Sequence, residues 1–320
     1  MAVYTEVTDA ALEAFLGAYD VGRVLSFKGI AGGVENTNYL LGTESGQYIL
    51  TLYEKRVAEE DLPFFVGLMD HLSAAGFPCP NPIRNRQGQA LARLEDRAAA
   101  MVSFLDGVEV TRPQPAHCFA AGETMARLHA MASNFTIFRA NGLSPKAWPA
   151  LVNSAIEQAD TVEDGMAALM KDALHEAQQY WPTAIPSGVI HADFFKDNVF
   201  FLNNSLSGVI DFYFACNDFL AYDLAVALNA WCFDKTLTFQ PELANALVQG
   251  YQSIRPLEEA EINALPVLAR GAALRFLLTR INDWLNVPEG ALVIPHDPKQ
   301  FSARLRYLRT IQSPQDLGAA

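Results

Sequence analysis

Three polar side chains at fixed spacing stand out in the middle of the chain: Asp193, Asn198 and Asp211. Between the second and the third lie two apolar, strand-like runs and a polar turn, at residues 199–202, 206–210 and 203–205. A hairpin of this kind returns the chain to its starting point, so we expect Asn198 and Asp211 to meet at one end of it. An amide oxygen beside a carboxylate is a pair of hard oxygen ligands, which suits Mg²⁺.

The chemistry that needs such a set is phosphoryl transfer from ATP. A metal ion neutralises the charge that develops on the γ-phosphate, and a carboxylate orients the attacking hydroxyl and accepts its proton. Asp193, in the loop before Asn198, is placed for the second task. Protein kinases use the order H-R-D-x-x-x-x-N followed by a metal-binding aspartate, and this chain has H-x-D-x-x-x-x-N followed by Asp211. The alternative is that all three residues only form turns and strand ends.

Two further residues of this loop each admit two interpretations. His191 is a candidate catalytic residue, although a buried histidine more often holds a loop in place by hydrogen bonds. Lys196 is a candidate phosphate ligand, although a lysine in an exposed loop is usually only solvated.

The net charge of −13 restricts the partners. With 36 acidic and 23 basic side chains, the surface repels phosphate backbones and anionic lipids, so we expect no binding to nucleic acid or to a membrane. The sequence has no signal-peptide pattern and no uninterrupted apolar run of about 18 residues, which favours the cytoplasm. Its four cysteines form no CxxC pair, and we expect reduced thiols in or near a core. The chain is expected to act as a monomer or a homodimer.

The first hundred residues combine strand-like runs with two helical patterns. Thr8 is expected to cap a short helix, and a second, amphipathic helix is predicted at residues 61–75. The strand-like runs, rich in Val, Ile, Leu and Tyr, are at residues 23–30, 38–46, 47–54, 89–94 and 98–105.

From Pro115 onward the apolar spacing is mostly helical, and one β island at 188–212 interrupts it. The predicted helices are at residues 117–132, 148–159, 164–181, 223–232, 241–254, 258–284 and 298–310. The sequence therefore predicts an α+β fold with two lobes joined by a hinge near Ser103–Gly107. A small, β-rich N-terminal lobe at 1–104 would bind the nucleotide, and a larger, mainly helical lobe at 105–320 would carry the catalytic and substrate-binding residues.

The sequence resembles the aminoglycoside phosphotransferase and choline kinase-like family, whose two-lobed fold is related to that of the protein kinases. Within this family it is most similar to the bacterial homoserine kinases outside the GHMP class. The segments that carry the similarity are GIAGGVENTNYLL, YILTLYE, DLPFFVGLMDHL, HADFFKDNVFF and IDFYFACNDFLAYDLAVALNAWC. The similarity runs from the first residues to LRFLLTRI and the late His296–Pro298, which is nearly the whole chain.

The resemblance implies an activity and the residues that perform it. The activity is the ATP- and Mg²⁺-dependent phosphorylation of the hydroxyl of L-homoserine to O-phospho-L-homoserine, a step of threonine biosynthesis. Asp193 matches the family's catalytic base, and Asn198 and Asp211 match its Mg²⁺ ligands.

The resemblance also implies where the nucleotide binds. The loop 29–38 matches the family's phosphate-covering loop, although two adjacent glycines there also suit an ordinary hairpin turn. The segment 101–105 matches the hinge whose backbone binds adenine. The candidate nucleotide ligands in these two segments are Gly32, Gly33, Asn36, Ser103 and Leu105.

The sequence departs from the kinase pattern at one charged pair. The lysine expected on the third strand falls at Thr51, and Lys55 is the nearest cation, either a phosphate ligand or a solvated charge. The helix carboxylate that would pair with this lysine is also replaced, by Phe64 and Phe65.

Homoserine carries an ammonium, a carboxylate and a hydroxyl, so its pocket needs a cation or N–H donors for the carboxylate. Arg275 and Arg280, in the apolar helix ARGAALRFLLTRINDW, are our candidates, and each could instead form a structural salt bridge. Tyr213 and Asn229 are candidate walls of the pocket. Asp223 suits a helix cap or a loop anchor better than a ligand.

Two competing interpretations remain open at this point. The acceptor could be another small hydroxylated molecule such as choline, a sugar or an aminoglycoside, although the acid-poor tail SPQDLGAA counts against an aminoglycoside. The protein could also be a catalytically silent nucleotide-binding protein, as the missing lysine suggests. The intact Asp193, Asn198 and Asp211 argue against silence.

Overall fold

The computed structural model describes residues 5–30, 36–54, 57–287 and 295–319. The chain forms two compact units. The first comprises Met1–Asp106 with Gly208–Tyr213, and the second comprises Gly107–Ser207 with Phe214–Ala320. The lobe limits at 1–104 and 105–320 stay a prediction, and the compact units place residues 208–213 with the N-terminal segment.

The first unit is built on a five-stranded antiparallel sheet with strand order β1-β2-β3-β5-β4. Its strands are β1 (Val24–Gly29), β2 (Thr37–Thr43), β3 (Gly46–Leu52), β4 (Leu91–Leu94) and β5 (Arg97–Ser103). Its helices are α1 (Asp9–Leu16) and α2 (Leu62–Ala74). The predicted helix cap is confirmed, because the Thr8 hydroxyl accepts a hydrogen bond from the Ala11 amide at 3.2 Å.

Alternating side chains of this sheet form the core of the first unit, since successive strand residues point to opposite faces. Leu41, Leu50 and Met101, on three neighbouring strands, are fully buried. They belong to the same apolar cluster as Leu12 and Leu16 of α1, so the short first helix covers the sheet. Each such leucine contributes about 1.5–3 kcal/mol by leaving water.

The second unit is mainly helical. Its helices are α3 (Pro115–Met131), α4 (Trp148–Ala155), α5 (Ala159–Val162), α6 (Met166–Tyr180), α7 (Leu220–Trp231), α8 (Pro241–Gln252), α9 (Glu259–Leu285) and α10 (Lys299–Leu308). The helix predicted at 148–159 begins as expected but ends four residues earlier, at Ala155, and α5 begins at Ala159. The helix predicted to begin at residue 223 begins three residues earlier, at Leu220.

The β island predicted at 188–212 consists of short strands: β7 (Ser187–Ile190), β8 (Val199–Leu202) and β9 (Ser205–Val209). Two further short strands, β6 (Val108–Glu109) and β10 (Cys216–Phe219), lie outside it. The predicted β8–β9 hairpin is confirmed, but its turn contains only Asn203 and Asn204, with φ of 51° and 64°. Positive φ at both positions is typical of a two-residue turn that follows the twist of its strands. Ser205, predicted in the turn, already belongs to β9.

The strand β10 has no counterpart in the sequence prediction. It pairs antiparallel with β7, with Cys216 opposite Ile190 and Phe219 opposite Ser187. Its four residues, CNDF, contain two that disfavour strands, so local propensity gave no signal. The pairing fixes the segment after the 3₁₀ turn Phe212–Phe214 against the strand that leads into His191.

The most apolar element, α9, is long and apolar enough to cross a membrane, but 72% of its most apolar 18-residue window is buried within the protein. A core helix of a soluble protein meets the same test. The four cysteines are free and buried, as expected, and burial raises the pKa of the Cys79 and Cys118 thiols to about 12.

Candidate active site

The loop at 191–198, here called the catalytic loop, joins β7 to β8 within the second unit. Asp223, fully buried in the first turn of α7, anchors its start. Each carboxylate oxygen of Asp223 accepts one backbone N–H, from His191 and from Ala192, at 2.8 Å. Ala192 has φ of 62°, which is strained for a residue with a Cβ. The two hydrogen bonds to Asp223 hold Ala192 in this conformation. Of the two structural roles considered for Asp223, the structure shows the loop anchor.

Behind Asp223 lies a chain of buried hydrogen bonds. His129 Nε2 lies 3.0 Å from the Asp223 carboxylate, and His129 Nδ1 lies 2.8 Å from the Tyr251 hydroxyl. Arg255 donates to that hydroxyl at 3.2 Å and forms an ion pair with Glu261. Burial alone raises the pKa of Asp223, but the hydrogen bond and charge of His129 outweigh it, so the pKa lies below its ordinary value. Asp223 is therefore a carboxylate at neutral pH and remains a strong acceptor.

Asp193 and Asn198 lie side by side in the catalytic loop. Asn198 Nδ2 donates to the backbone oxygen of Asp193 at 2.9 Å and to its carboxylate Oδ2 at 3.1 Å. The amide nitrogen of Asn198 is thus committed to Asp193, and its Oδ1 is the atom able to meet a cation. The other carboxylate oxygen of Asp193, Oδ1, lies 3.8 Å from Arg275 Nη1. Arg275 is only 4% exposed, with its guanidinium over the ring of Phe276.

The remaining loop residues are buried to different degrees. His191 is fully buried, and its Nδ1 lies 3.3 Å from the amide nitrogen of Asp193, which donates to it. This contact fits the loop-holding interpretation of His191; its catalytic role stays a prediction. Burial lowers the pKa of Lys196, and the charge of Arg304 lowers it further. The ammonium of Lys196 therefore lies in an electropositive part of the second unit, and phosphate binding by it stays a prediction.

Two side chains of α7 contact neighbouring backbone. The indole Nε1 of Trp231 donates to the backbone oxygen of Phe194 at 2.8 Å and holds the catalytic loop from below. Asn229 is fully buried, and its Nδ2 donates to the carbonyl oxygens of Ala225 and Ala269 at 3.0 Å. Its Oδ1 has no hydrogen-bond partner among the described residues. Contact of Asn229 with substrate stays a prediction.

The second predicted metal ligand, Asp211, belongs to the first unit. It is exposed and has φ of 62°, directly before the Phe212–Phe214 turn. Non-glycine residues with positive φ are uncommon and cluster at functional sites. Ala192, in the catalytic loop, and Asp211, the predicted metal ligand, both have this conformation. Positive φ in both segments supports a functional role for them.

Tyr213, predicted as a substrate wall, also lies in the first unit. Its ring packs edge-on against Phe65 and Tyr53, and the two phenol oxygens are 3.4 Å apart. Burial raises the pKa of Tyr213, and the hydrogen bond with Tyr53 offsets this in part. At the position where a kinase lysine is expected, the Thr51 hydroxyl donates to Asn38 Oδ1 at 2.7 Å. A neutral hydrogen-bonded group therefore occupies the place of the charged pair.

Three candidate nucleotide ligands lie in described parts of the first unit. Asn36 is buried, and its Oδ1 accepts the Glu54 amide at 3.2 Å. Ser103 Oγ accepts the amide of Asn81 at 2.9 Å. Leu105 packs against Gly208: a Cβ added at Gly208 would lie 2.8 Å from the Cδ1 atom of Leu105. The other three, Gly32, Gly33 and Lys55, lie outside the described residues.

Arg280, on α9, is half-buried, with its guanidinium carbon 4.6 Å from the ring centroid of Phe301 and its Nη1 donating to Gln300 at 2.9 Å. Burial lowers the pKa of Arg280 to about 10, although the carboxylates of Asp193 and Asp197 act in the opposite direction. Arg280 thus interacts electrostatically with the carboxylate of the predicted base, Asp193. Its contact with substrate stays a prediction.

Comparisons with known proteins show the family to which the chain belongs. Residues 26–257 match the model of the phosphotransferase enzyme family. A homoserine kinase of Methylobacterium radiotolerans is 58% identical over 318 residues, covering 99% of both chains. A homoserine kinase of Xanthobacter autotrophicus is 55% identical over 320 residues, covering 100% of both chains.

Solved structures show the same fold at low sequence identity. An amicoumacin kinase bound to AMP-PNP and Ca²⁺ aligns with a TM-score of 0.71 at 15% identity, covering 94% of this chain and 92% of its own. A choline kinase of Cryptosporidium parvum aligns with a TM-score of 0.64 at 16% identity, covering 89% and 88%. The predicted α+β, protein-kinase-like fold class is confirmed. By its family match and its full-length relatives, the chain belongs to the phosphotransferase enzyme family and, within it, to the homoserine kinases.

Proposed function

We propose that the protein transfers the γ-phosphoryl group of ATP to the hydroxyl of L-homoserine, forming O-phospho-L-homoserine and ADP. The observation that carries this proposal is the geometry of the catalytic loop. Asp193 and Asn198 lie within hydrogen-bond distance of each other, in a loop anchored by buried Asp223. The homoserine kinase relatives, 52–58% identical along the full chain, support the choice of acceptor.

Residues of the catalytic loop and its neighbours have separate roles in the proposed reaction. The Asp193 carboxylate accepts the proton of the homoserine hydroxyl as its oxygen attacks the γ-phosphorus, and the bond to the β,γ-bridging oxygen of ATP breaks. Arg275, 3.8 Å from Asp193 Oδ1, orients that carboxylate. Asp223 and Trp231 hold the backbone on which Asp193 is mounted, so the base is pre-positioned.

Asn198 and Asp211 are proposed to hold Mg²⁺ through one amide and one carboxylate oxygen. The donor set fits, because hard oxygen ligands suit this ion and the Asn198 amide nitrogen is already committed to Asp193. When bound, Mg²⁺ would neutralise negative charge on the phosphates. An amicoumacin kinase of the same fold was solved with AMP-PNP and Ca²⁺, which supports a nucleotide with a divalent cation for this chain too.

We further propose that Arg280 faces the carboxylate of homoserine, and that Arg275 lies beside the acceptor through its contact with Asp193. Tyr213 and Asn229 are proposed to border the acceptor, and the nucleotide ligands are those predicted from the sequence. The cytoplasm is the proposed compartment, in keeping with a soluble biosynthetic enzyme.

A coupled ADP-release assay with a panel of acceptors tests the proposal. With Mg²⁺ and ATP, we expect kcat/KM for L-homoserine to exceed that for choline, D-ribose and an aminoglycoside by at least about 100-fold, because a site built to bind both charged groups of an amino acid rejects molecules without them. Preference for another acceptor would overturn the assignment of homoserine. If no acceptor in the panel leads to ADP release, the catalytically silent alternative is favoured.

A further inference from the structure

Arg304, on α10, is buried, and it forms no ion pair with any of the described residues. It is 8% exposed, and its Nε atom is sealed from solvent with no hydrogen-bond partner among the described residues. Arg280, on the neighbouring α9, donates only to the neutral amide of Gln300 and forms no ion pair within the described part of the chain. A buried guanidinium normally pairs with a carboxylate, because desolvating its charge alone is strongly unfavourable. Two such groups together indicate a place for an anion.

The two guanidinium groups share one aromatic ring. Their Cζ atoms lie 4.6 Å and 4.5 Å from the ring centroid of Phe301, for Arg280 and Arg304 respectively. Cation–π contacts offset part of the burial cost but leave the charge uncompensated. Burial, with the charge of Arg280, lowers the pKa of Arg304 to about 10, and burial with the same charge lowers the pKa of His296. Arg280 and Arg304 therefore place two positive charges beside the ring of Phe301.

Aromatic contacts connect this pair of arginines to the catalytic loop. Phe301 stacks on Phe276 with centroids 5.0 Å apart, and Phe195 packs against Phe276 at 4.8 Å. Phe195 is two residues after Asp193, and all of these residues belong to the second unit. The guanidinium groups of Arg280 and Arg304 thus lie on the aromatic cluster that supports the loop carrying the predicted base.

The three arginines near this cluster are not equivalent. Arg275 already has the Asp193 carboxylate at 3.8 Å, so its charge is matched inside the protein. Arg280 senses the charges of Asp193, Asp197 and Asp297 without an ion pair to any of them. Arg280 and Arg304 are therefore the two arginines whose charge an external anion would neutralise. Planar guanidinium groups are suited to bind a carboxylate by paired hydrogen bonds.

We infer that Arg304, with Arg280, binds the α-carboxylate of the acceptor, and that Arg304 makes the enzyme select an amino acid over an amino alcohol. The inference rests on the proposed phosphorylation of homoserine and adds a residue that the sequence pattern did not single out. Leaving Arg304 unpaired in the folded protein costs stability, which is a common feature of residues kept for binding.

The test compares wild type with Arg304→Met, which keeps the length and apolar packing of the side chain and removes its charge. With L-homoserine, we expect KM to rise by about 10–100-fold, as for loss of charge-assisted hydrogen bonds. With 3-amino-1-propanol, which is homoserine without the carboxylate, kcat/KM should change by less than about threefold. The KM for ATP should also stay unchanged. The control, Arg306→Gln on the same helix, removes an exposed arginine paired with Glu163 and should leave all three values unchanged.

Stability separates a binding role from a structural one. Because an unpaired buried charge is removed, Arg304→Met should unfold at the same temperature as wild type or higher. A lower unfolding temperature would mean that Arg304 holds the fold, and would overturn the inference. Equal rises in KM for homoserine and 3-amino-1-propanol, or a rise in KM for ATP, would also overturn it.

A binding measurement separates this inference from the proposed function. L-2-Aminobutyrate has the carboxylate and ammonium of homoserine but no hydroxyl, so calorimetry reports its binding without turnover. We expect wild type to bind it, and Arg304→Met to bind at least about tenfold more weakly. If wild type binds it but does not phosphorylate homoserine, the proposed function fails and the carboxylate site stands. If both proteins bind it equally, the role of Arg304 fails whatever the turnover.

Discussion

The catalytic loop and the β2–β3 strand pair differ in how their polar groups are satisfied. In the loop, buried Asp223, Trp231 and His129 supply charged or fully buried hydrogen bonds to backbone and carboxylate. On the strands, Thr51 and Asn38 form one neutral hydrogen bond of 2.7 Å where protein kinases carry a lysine. The residues expected to move a proton are held rigidly, while those expected to hold phosphates have lost their charged pair.

This difference indicates where the family chemistry is kept and where it varies. Proton acceptance depends on the placement of one carboxylate to within fractions of an ångström, so its supports are buried and redundant. Phosphate binding can be shared among a metal ion, backbone N–H groups and several cations, so one lysine can be replaced. We therefore expect substitutions at the loop to have much larger effects than substitutions on the strands.

The largest effect is expected for Asp193→Asn. The amide keeps the shape of the side chain but cannot accept the proton of the hydroxyl, so kcat should fall by at least about 100-fold with little change in the KM for ATP. Steady-state ADP release measures both values. The control is Asp197→Asn, which alters an exposed carboxylate of the same loop and should cost less than about fivefold. Near-normal turnover by Asp193→Asn would show that Asp193 is not the base.

The next largest effect is expected for Asp223→Asn. One carboxylate oxygen that accepts a backbone N–H would be replaced by an amide NH₂, which leaves buried donors facing each other at a cost of about 3 kcal/mol or more. Calorimetry should show a fall in Tm of at least about 5 °C, together with a fall in kcat. Asp218→Asn, at a half-buried carboxylate that accepts from Asn141, should lower Tm by less than half as much. Equal losses from both variants would contradict the anchoring role of Asp223.

The pH dependence of this loss follows from the pKa of Asp223. Because hydrogen bonding and the charge of His129 outweigh burial and depress that pKa, the carboxylate stabilises the fold fully above the unfolded value of about 3.9. This stabilisation is lost as the pH falls through the folded pKa. The Tm difference between wild type and Asp223→Asn should be present at pH 5 and shrink below about pH 4. A difference that grows in acid would show the opposite shift.

A smaller effect is expected for Trp231→Phe. The ring volume is largely kept, but the Phe194 carbonyl oxygen loses its 2.8 Å hydrogen bond and remains buried, at a cost of about 1–3 kcal/mol. We expect a lower Tm and a fall in kcat of about three- to tenfold, with the KM for ATP unchanged. Trp284→Phe, at a tryptophan that is 40% exposed, serves as the control and should change neither quantity. If the two variants behave alike, the indole hydrogen bond has no role in placing the loop.

The smallest effect is expected on the strands, for Thr51→Val. This nearly isosteric change removes one neutral hydrogen bond to Asn38, worth about 1 kcal/mol, so the KM for ATP should rise by no more than about fivefold. The KM for homoserine should not change. Thr43→Val removes a buried hydroxyl from the same sheet and should leave the KM for ATP unchanged. A loss of activity by Thr51→Val as large as that of Asp193→Asn would remove the difference between the two regions.

Local patterns in the sequence predicted most elements and the catalytic motif, because both depend on short spacings. The Thr8 cap and the β8–β9 hairpin both involve residues within a few positions of one another. The expected meeting of Asn198 and Asp211 stays a prediction. The contact of His129 with Asp223 spans 94 positions and follows no local pattern. Long-range pairing also explains why β10 was missed.

The arginines of α10 show a second limit. In the run ARLRYLR, Arg304 and Arg306 look alike, since both are cations in an amphipathic helix. Packing makes them different: Arg304 is buried on Phe301, whereas Arg306 is exposed and paired with Glu163. Which arginine can bind the substrate depends on which face of α10 packs against α9. The helical period of the sequence does not show which residues lie on that face.

The most direct test of the account is the identity of the product. Purified protein with ATP, Mg²⁺ and L-homoserine should form ADP and O-phospho-L-homoserine in equal amounts, as followed by phosphorus NMR. Replacing homoserine by L-2-aminobutyrate, which has no hydroxyl, should yield no phosphorylated product. Phosphate transfer to a different acceptor, or ADP and free phosphate formed at the same rate without homoserine, would contradict the account.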